Sequence, residues 1–155
     1  MNPANGIELA FLFRIDAALA PAIELGECPR GMRRMVPILT GSFEGPRIKG
    51  TLPAGGADWQ VTRPDGVTEI EACYALETDD GVVIRVTNRG LRHGPPEIMR
   101  WLVQGETVDP SEYYFRAAPS FEAPRGIYDW LNQRLFISTG RRFRASVQLD
   151  FYEVV

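Results

Sequence analysis

The chain has very little of what anchors metals and redox centres. Its 155 residues include one histidine and two cysteines. Cys28 and Cys73 lie far apart with no CxxC spacing, so neither a zinc knuckle nor a thioredoxin-type pair is readable, and a reducing, cytoplasmic setting fits best. A single histidine, His93, removes every HExxH and two-histidine motif. No metal is expected, since a site would have to rest on carboxylates. Of the 17 basic residues all but Lys49 are arginines, which leaves Schiff-base chemistry one candidate. Lys49 alternates with Ile48 and Gly50 on a short strand and is expected at solvent. There is no GxGxxG, P-loop or GxSxG motif, so no nucleotide, flavin or other cofactor is expected. Positive charge is not in excess either: 17 − 20 gives a net charge of −3, which supplies no electrostatic footprint for nucleic acid. No apolar run approaches the roughly 20 residues of a membrane span. The segment Met1–Gly6 lacks a basic n-region, and the first apolar run, Leu9 to Phe13, is broken by Arg14 and Asp16. The expectation is a soluble, cytoplasmic protein whose partner is a small molecule, with a homo-oligomer possible and neither nucleic acid nor membrane involved.

Hydrophobic residues make up 45% of the chain, enough for one core in a single domain over residues 1–155. Their period is two. Ile7, Leu9, Phe11, Phe13 and Ile15 alternate with Glu8, Ala10, Leu12, Arg14 and Asp16, while Phe143, Ala145, Val147, Leu149 and Phe151 do the same near the C-terminus. Turn signals at Gly45-Pro46, Gly55-Gly56, Pro64-Asp65-Gly66 and Asp80-Gly81 cut the middle into hairpins. Strands are expected near 35–43, 47–52, 57–63, 67–78, 82–88, 112–118 and 134–139, about nine with the two ends. So many sequential strands leave exposed edges unless the sheet closes, so the pattern predicts an all-β fold, a closed antiparallel up-and-down barrel whose first and last strands pair. One short helix starts at Pro95-Pro96-Glu97 and stops at Gly105. Its Ile98, Trp101 and Leu102 suit a lid across one barrel mouth. A further helical turn fits Tyr128 to Asn132.

Several motifs stand in a distinctive order: Gly41-Ser42-Phe43-Glu44-Gly45-Pro46, Leu52 through Trp59 with its double glycine, Asn88-Arg89-Gly90, Tyr113-Tyr114-Phe115-Arg116 and Tyr128-Asp129-Trp130-Leu131-Asn132. In this the chain resembles, over nearly its whole length, the bacterial and fungal domain-of-unknown-function family 3237. The resemblance implies a closed, lipocalin-like soluble β-barrel and little about chemistry.

A small barrel encloses a cavity, so the candidate site residues are polar ones that parity or motif position could turn inward. Arg116, opposite the apolar face of Tyr113 and Phe115, is expected to enter the lumen and hold a carboxylate, phenolate or enolate beside Tyr114. A structural salt bridge to Glu44 or Asp58 is the alternative for Arg116. Asp58 and Trp59 follow the double glycine and point to opposite faces; a lumenal Asp58 would have a raised pKa and serve as general acid or base, whereas a turn-capping Asp58 would leave Trp59 as core. Glu44, at a strand end, and His93, in a glycine-punctuated loop, are further proton carriers, each with an exposed structural role as its ordinary alternative. Asn88 shares the face of Val82, Ile84 and Val86, so it is expected buried, tying down a loop or holding an oxyanion. Tyr128, Trp130 and Asn132 could line a mouth or simply pack beneath a loop. Arg141-Arg142-Phe143-Arg144 reads as a solvated hairpin tip. The function expected is a cofactor-independent acid–base enzyme, of isomerase, dehydratase, cyclase or lyase type, acting on an apolar or aromatic, anionic or enolisable molecule in the barrel. The alternative is a non-catalytic lipocalin-like binding protein.

Overall fold

The computed structural model describes residues 6–155, and expectations placed on Met1–Asn5 lie outside the described residues. In chain order the elements are β1 (Leu9–Leu19), β2 (Ile23–Cys28), β3 (Gly31–Glu44), β4 (Lys49–Leu52), β5 (Gly56–Thr62), β6 (Thr68–Thr78), β7 (Val83–His93), α1 (Pro96–Val103), β8 (Tyr114–Glu122), β9 (Phe136–Arg142) and β10 (Ser146–Val154). All pairings are antiparallel, and β1 pairs with both β10 and β3, so the sheet closes on itself. Eight strands, β1, β3 and β5 to β10, form the barrel; β4 lies in line with β5 between β3 and β6, and β2 extends one end of β3 outside. The expected pairing of Phe11's strand with Leu149's is present, with Ile15 opposite Leu149.

Three local features differ from the period-two reading. A bulge between Phe11 and Phe13 turns two successive residues, Leu12 and Phe13, into the core and leaves Phe11 outside. β2 was not expected; it is exposed along most of its length, so its sequence carries no core-facing stripe. β7 and β8 run on to His93 and Glu122, beyond the expected ends at 88 and 118, so that the glycine-punctuated segment read as a loop is partly strand.

The two ends of the barrel differ. At the end where β8 passes to β9, Phe13, Phe43, Phe121, Phe136 and Phe151 form a connected cluster of edge-on and tilted rings 4.7–6.0 Å apart, beneath the 3-10 turn Asp129–Gln133. Glu153 is buried there between Arg134 at 2.9 Å and Arg47 at 3.4 Å, and Arg47 in turn stacks on Trp130 at 3.7 Å. At the other end α1 lies between β7 and β8. Pro96 in its first turn and Glu97 near the positive dipole end suit its start. It buries Ile98 and Leu102 as expected of a lid, whereas Trp101 stays partly exposed. No helix among the described residues is long and apolar enough to cross a membrane.

Candidate functional site

Strand parity selects the polar residues at the open end. Asp58 and Gln60 alternate with Trp59 on β5, and the register sets Asp58 opposite Ala72 on β6, itself opposite Asn88 on β7. The inward face of β7 reads Ile84, Val86, Asn88, Gly90, Arg92. Gly90 is required by crowding rather than by its turn-forming freedom, since a Cβ there would collide with the Arg116 carbonyl and with Ala117 of β8. β3 contributes Arg34 across from Gln60, and Arg142 ends β9. A Cβ at Gly140, two residues earlier, would meet the Phe115 ring at 2.7 Å, so this glycine makes room for that ring at the inner wall.

These side chains border two spaces. An inner chamber of about 50 Å³ is walled by aliphatic residues such as Ile15, Val36, Ile70 and Leu149, with Asp58, Gln60, Tyr74 and Asn88 as its polar lining. A vestibule of about 410 Å³ is bordered by Arg34, Arg144, Thr62, Thr68 and by Met99 and Leu102 of α1. Arg92 and Arg142 line both and so mark where the spaces meet.

Gln60 joins the charges without letting them touch. Its Oε1 accepts from Arg34 Nε at 2.8 Å and from Arg92 Nη2 at 3.3 Å, and its Nε2 donates to Asp58 Oδ2 at 2.7 Å. Arg92 is 5% exposed, forms no ion pair among the described residues, and its Nε has no hydrogen-bond partner there. Its guanidinium lies 5.3 Å from the centre of the Phe115 ring. Burial, reinforced by the like charges of Arg34 and Arg142, brings its pKa down to about 10, against the opposing pull of Asp58. Burial likewise lowers Arg142, whose Nη1 donates to the carbonyls of Phe143 at 2.8 Å and Ser146 at 3.1 Å.

Asp58 as a whole is half-buried, yet its Oδ1 is sealed from solvent and accepts no hydrogen bond among the described residues. Burial raises its pKa, and this outweighs the hydrogen bond from Gln60, the positive charges of Arg92 and Arg34 and the nearby Glu71 backbone, which does not reach Oδ1 with hydrogen-bond geometry. Burial also raises the Tyr74 phenol, with the charge of Asp58 adding to it. Asn88 is near enough to Tyr74 to oppose that rise without the geometry of a hydrogen bond, and both the Tyr74 hydroxyl and Asn88 Oδ1 are unpartnered among the described residues.

Of the residues expected from sequence, Asp58 and Asn88 line the chamber. The others do not. Arg116 faces solvent: the aromatic face of β8 is itself the lumenal one, so Phe115 and Ala117 are buried and Arg116 donates to the Phe115 carbonyl at 2.9 Å. Tyr114 is on the same outer face, stacked on an exposed His93 at 5.0 Å, because β7 continues through His93 with Arg92 inward. Glu44 is exposed at the end of β3. Trp59 lies on the outer wall, 44% exposed. Tyr128, Trp130 and Asn132 belong to the closed end. Tyr128 donates to Asp80 Oδ1 at 2.8 Å, Trp130 packs under Arg47, and Asn132 clamps Ala123 by two bonds of 2.8 and 2.9 Å. The sequence reading missed Arg34, Gln60, Tyr74, Arg92 and Arg142 as lining residues. Their signal is parity: Arg92 continues Val86 and Asn88, Arg34 precedes Val36 and Ile38, and Arg142 follows Ser138 and Gly140, all at steps of two.

The family profile described as protein of unknown function (DUF3237) matches residues 7–154. The chain belongs to this family. The DUF3237 barrel is 42% identical over 149 residues to the UPF0311 protein RPA1785 of Rhodopseudomonas palustris, covering 96% of this chain and 97% of that one. The crystal structure of the Rhodopseudomonas protein superposes with a TM-score of 0.94, covering 98% of this chain and all of that one. A β-barrel-like protein of Acinetobacter baumannii, 40% identical, gives 0.85 with 99% of both chains covered. A structure from Penicillium herquei, described as an enzyme, shares the fold with a TM-score of 0.73 at 20% identity, over 100% of this chain and 99% of that one.

Proposed function

We propose that the barrel is a cofactor-independent acid–base enzyme for a small organic anion. The anion enters past α1 and is held at Arg92, with Arg34 and Arg142 alongside; an apolar or aromatic part rests against Met99 and Leu102 in the vestibule. The observation that carries this reading is Arg92, a buried guanidinium without a carboxylate partner among the described residues. Burying an unpaired charge is unfavourable, and an arginine presents several donors in a fork suited to a carboxylate or enolate. Asp58 sits on the chamber side of Gln60, with a pKa raised by burial. Protonated, it can donate to a carbonyl or leaving group; ionised, it can take a proton from a carbon acidified by that carbonyl, while Arg92 stabilises the enolate that forms. Isomerisation, dehydration, cyclisation and carbon–carbon cleavage all draw on this pair of functions.

A non-catalytic carrier is the second reading. It is favoured by the placement of Glu44 and His93 outside the barrel, which leaves Asp58 as the one carboxylate among the chamber residues. The test is proton exchange in deuterated water with a panel of enolisable acids, followed by NMR. Wild-type protein should wash deuterium into the carbon next to the carbonyl of an accepted ligand, and Asp58→Asn should abolish this while retaining binding. Binding without exchange by the wild type would favour the carrier.

A further inference from the structure

We infer that the inner chamber reads a hydroxyl group, so that the ligand of the arginine-lined mouth is a hydroxy acid whose alcohol or enol oxygen lies between Tyr74, Asn88 and Asp58. This rests on the proposed anion site and adds what the other end of the ligand must be.

Three polar atoms of the chamber are sealed and unpartnered among the described residues: the Tyr74 hydroxyl, Asn88 Oδ1 and Asp58 Oδ1. Tyr74 and Asn88 are 6% and 4% exposed. Buried polar groups are nearly always satisfied, and each exception disfavours the empty state. They come together because Asp58 and Asn88 flank Ala72, whose small side chain leaves space between them, and Tyr74 is the next inward residue of the same strand. Their bonding capacities specify the visitor. Tyr74 has a proton to give, Asn88 Oδ1 as placed only accepts, and Asp58 Oδ1 accepts when its carboxylate is ionised. A hydroxyl accepts from Tyr74 and donates to one of the two oxygens; a methyl group does neither, and a ketone leaves both acceptors empty. Inside the ring of Gln60, Arg92 and Arg142, the remaining walls are aliphatic apart from the Phe115 ring, so the group arrives on a hydrocarbon arm. With about 50 Å³ available, and each water-sized occupant needing ~10–15 Å³, the chamber admits an arm of about three to five heavy atoms. A ring must stay in the vestibule.

Isothermal titration with pentanoate, 4-hydroxypentanoate and 2-pentanol separates this inference from the one it rests on. The hydroxy acid should bind wild-type protein about tenfold more tightly than pentanoate, equivalent to about 1.4 kcal/mol. Tyr74→Phe and Asn88→Leu should each erase most of that difference, and a thermal melt at or above the wild-type value will establish that the variants are folded. Equal affinity of the two acids would overturn the hydroxyl inference and leave the anion site standing. Binding of 2-pentanol with affinity matching the hydroxy acid would overturn the anion site while the hydroxyl inference survives, and failure of all three to bind would overturn both.

Discussion

Both ends of the barrel bury charge, but only one end resolves it. At the closed end Glu153 is gripped by Arg134 and Arg47 above a cluster of interlocked phenylalanines, so electrostatics and packing are both complete. At the open end Arg92 and Asp58 are held apart by Gln60, and polar atoms of Asp58, Tyr74, Asn88 and Arg92 are left without partners among the described residues. The same fold thus contains one region whose buried charges and rings are paired and another whose polar atoms are left open among the described residues, where a ligand is proposed to bind. The incomplete region is where function is to be sought.

The contrast can be broken most forcefully from the closed end. Phe151→Ala removes a ring in contact with Phe13 and Phe121 and should destabilise the protein by about 3–5 kcal/mol in a denaturant titration. Anion affinity measured on the fraction that stays folded should be unaltered. Glu153→Gln leaves Arg134 and Arg47 unmatched. Because both arginines are about half exposed and can turn to water, the expected loss is smaller, about 1.5–3 kcal/mol.

Asp58→Asn sharpens the comparison through pH. The folded-state pKa of Asp58 is raised, so the native state holds this proton more tightly than the unfolded chain. The stability associated with the protonated form is therefore fully present below the unfolded-state value of about 3.8 and is lost as pH rises through the higher native one. The asparagine variant should lack this fall. Compared with wild type, its melting temperature should improve steadily from acid toward neutral pH, each kcal/mol appearing as about 2–4 °C. A difference that does not change with pH would show that Asp58 titrates normally.

The smallest effect is expected from Arg116→Met. Its guanidinium bonds the Phe115 carbonyl and lies 5.7 Å from the exposed Tyr114 ring, both on the outer wall, so stability should change by less than about 0.5 kcal/mol and ligand affinity not at all, read by melting and by titration.

Much of this architecture is legible in the amino-acid order because a half-buried strand repeats every two residues. Phe13, Ile15, Val147, Leu149 and Phe151 announce both terminal strands, and the need to cover their edges leads to closure. β2 escaped notice because Ile23 and Leu25 face solvent rather than a core. The site was harder to read for a related reason. In a barrel the inward stripe stays inward as it approaches the mouth, but there its residues become polar, and a change of composition looks like the end of a strand. Arg92 lies two steps beyond Asn88 yet seemed to belong to a loop, and Arg142 seemed part of a solvated tip. Arg116 misleads in the opposite sense: set opposite the apolar face of Tyr113 and Phe115 it reads as lumenal, whereas that aromatic face is the inner one and Phe115 packs inside the barrel itself. Parity carried past Gly90 and Gly140 places the arginines correctly.

The most direct test is Arg92→Met, which keeps much of the aliphatic volume and removes the buried charge. Two quantities are read on the same preparation: the melting temperature without ligand and the affinity for a small carboxylate such as 4-hydroxypentanoate. If Arg92 is an anion receptor, the empty variant should melt at or above the wild-type temperature, and affinity should fall about 10–150-fold, the equivalent of a charge-assisted contact of about 1.5–3 kcal/mol. A large fall in melting temperature with affinity unchanged would contradict the account, since it would make Arg92 a structural charge and the barrel mouth no binding site.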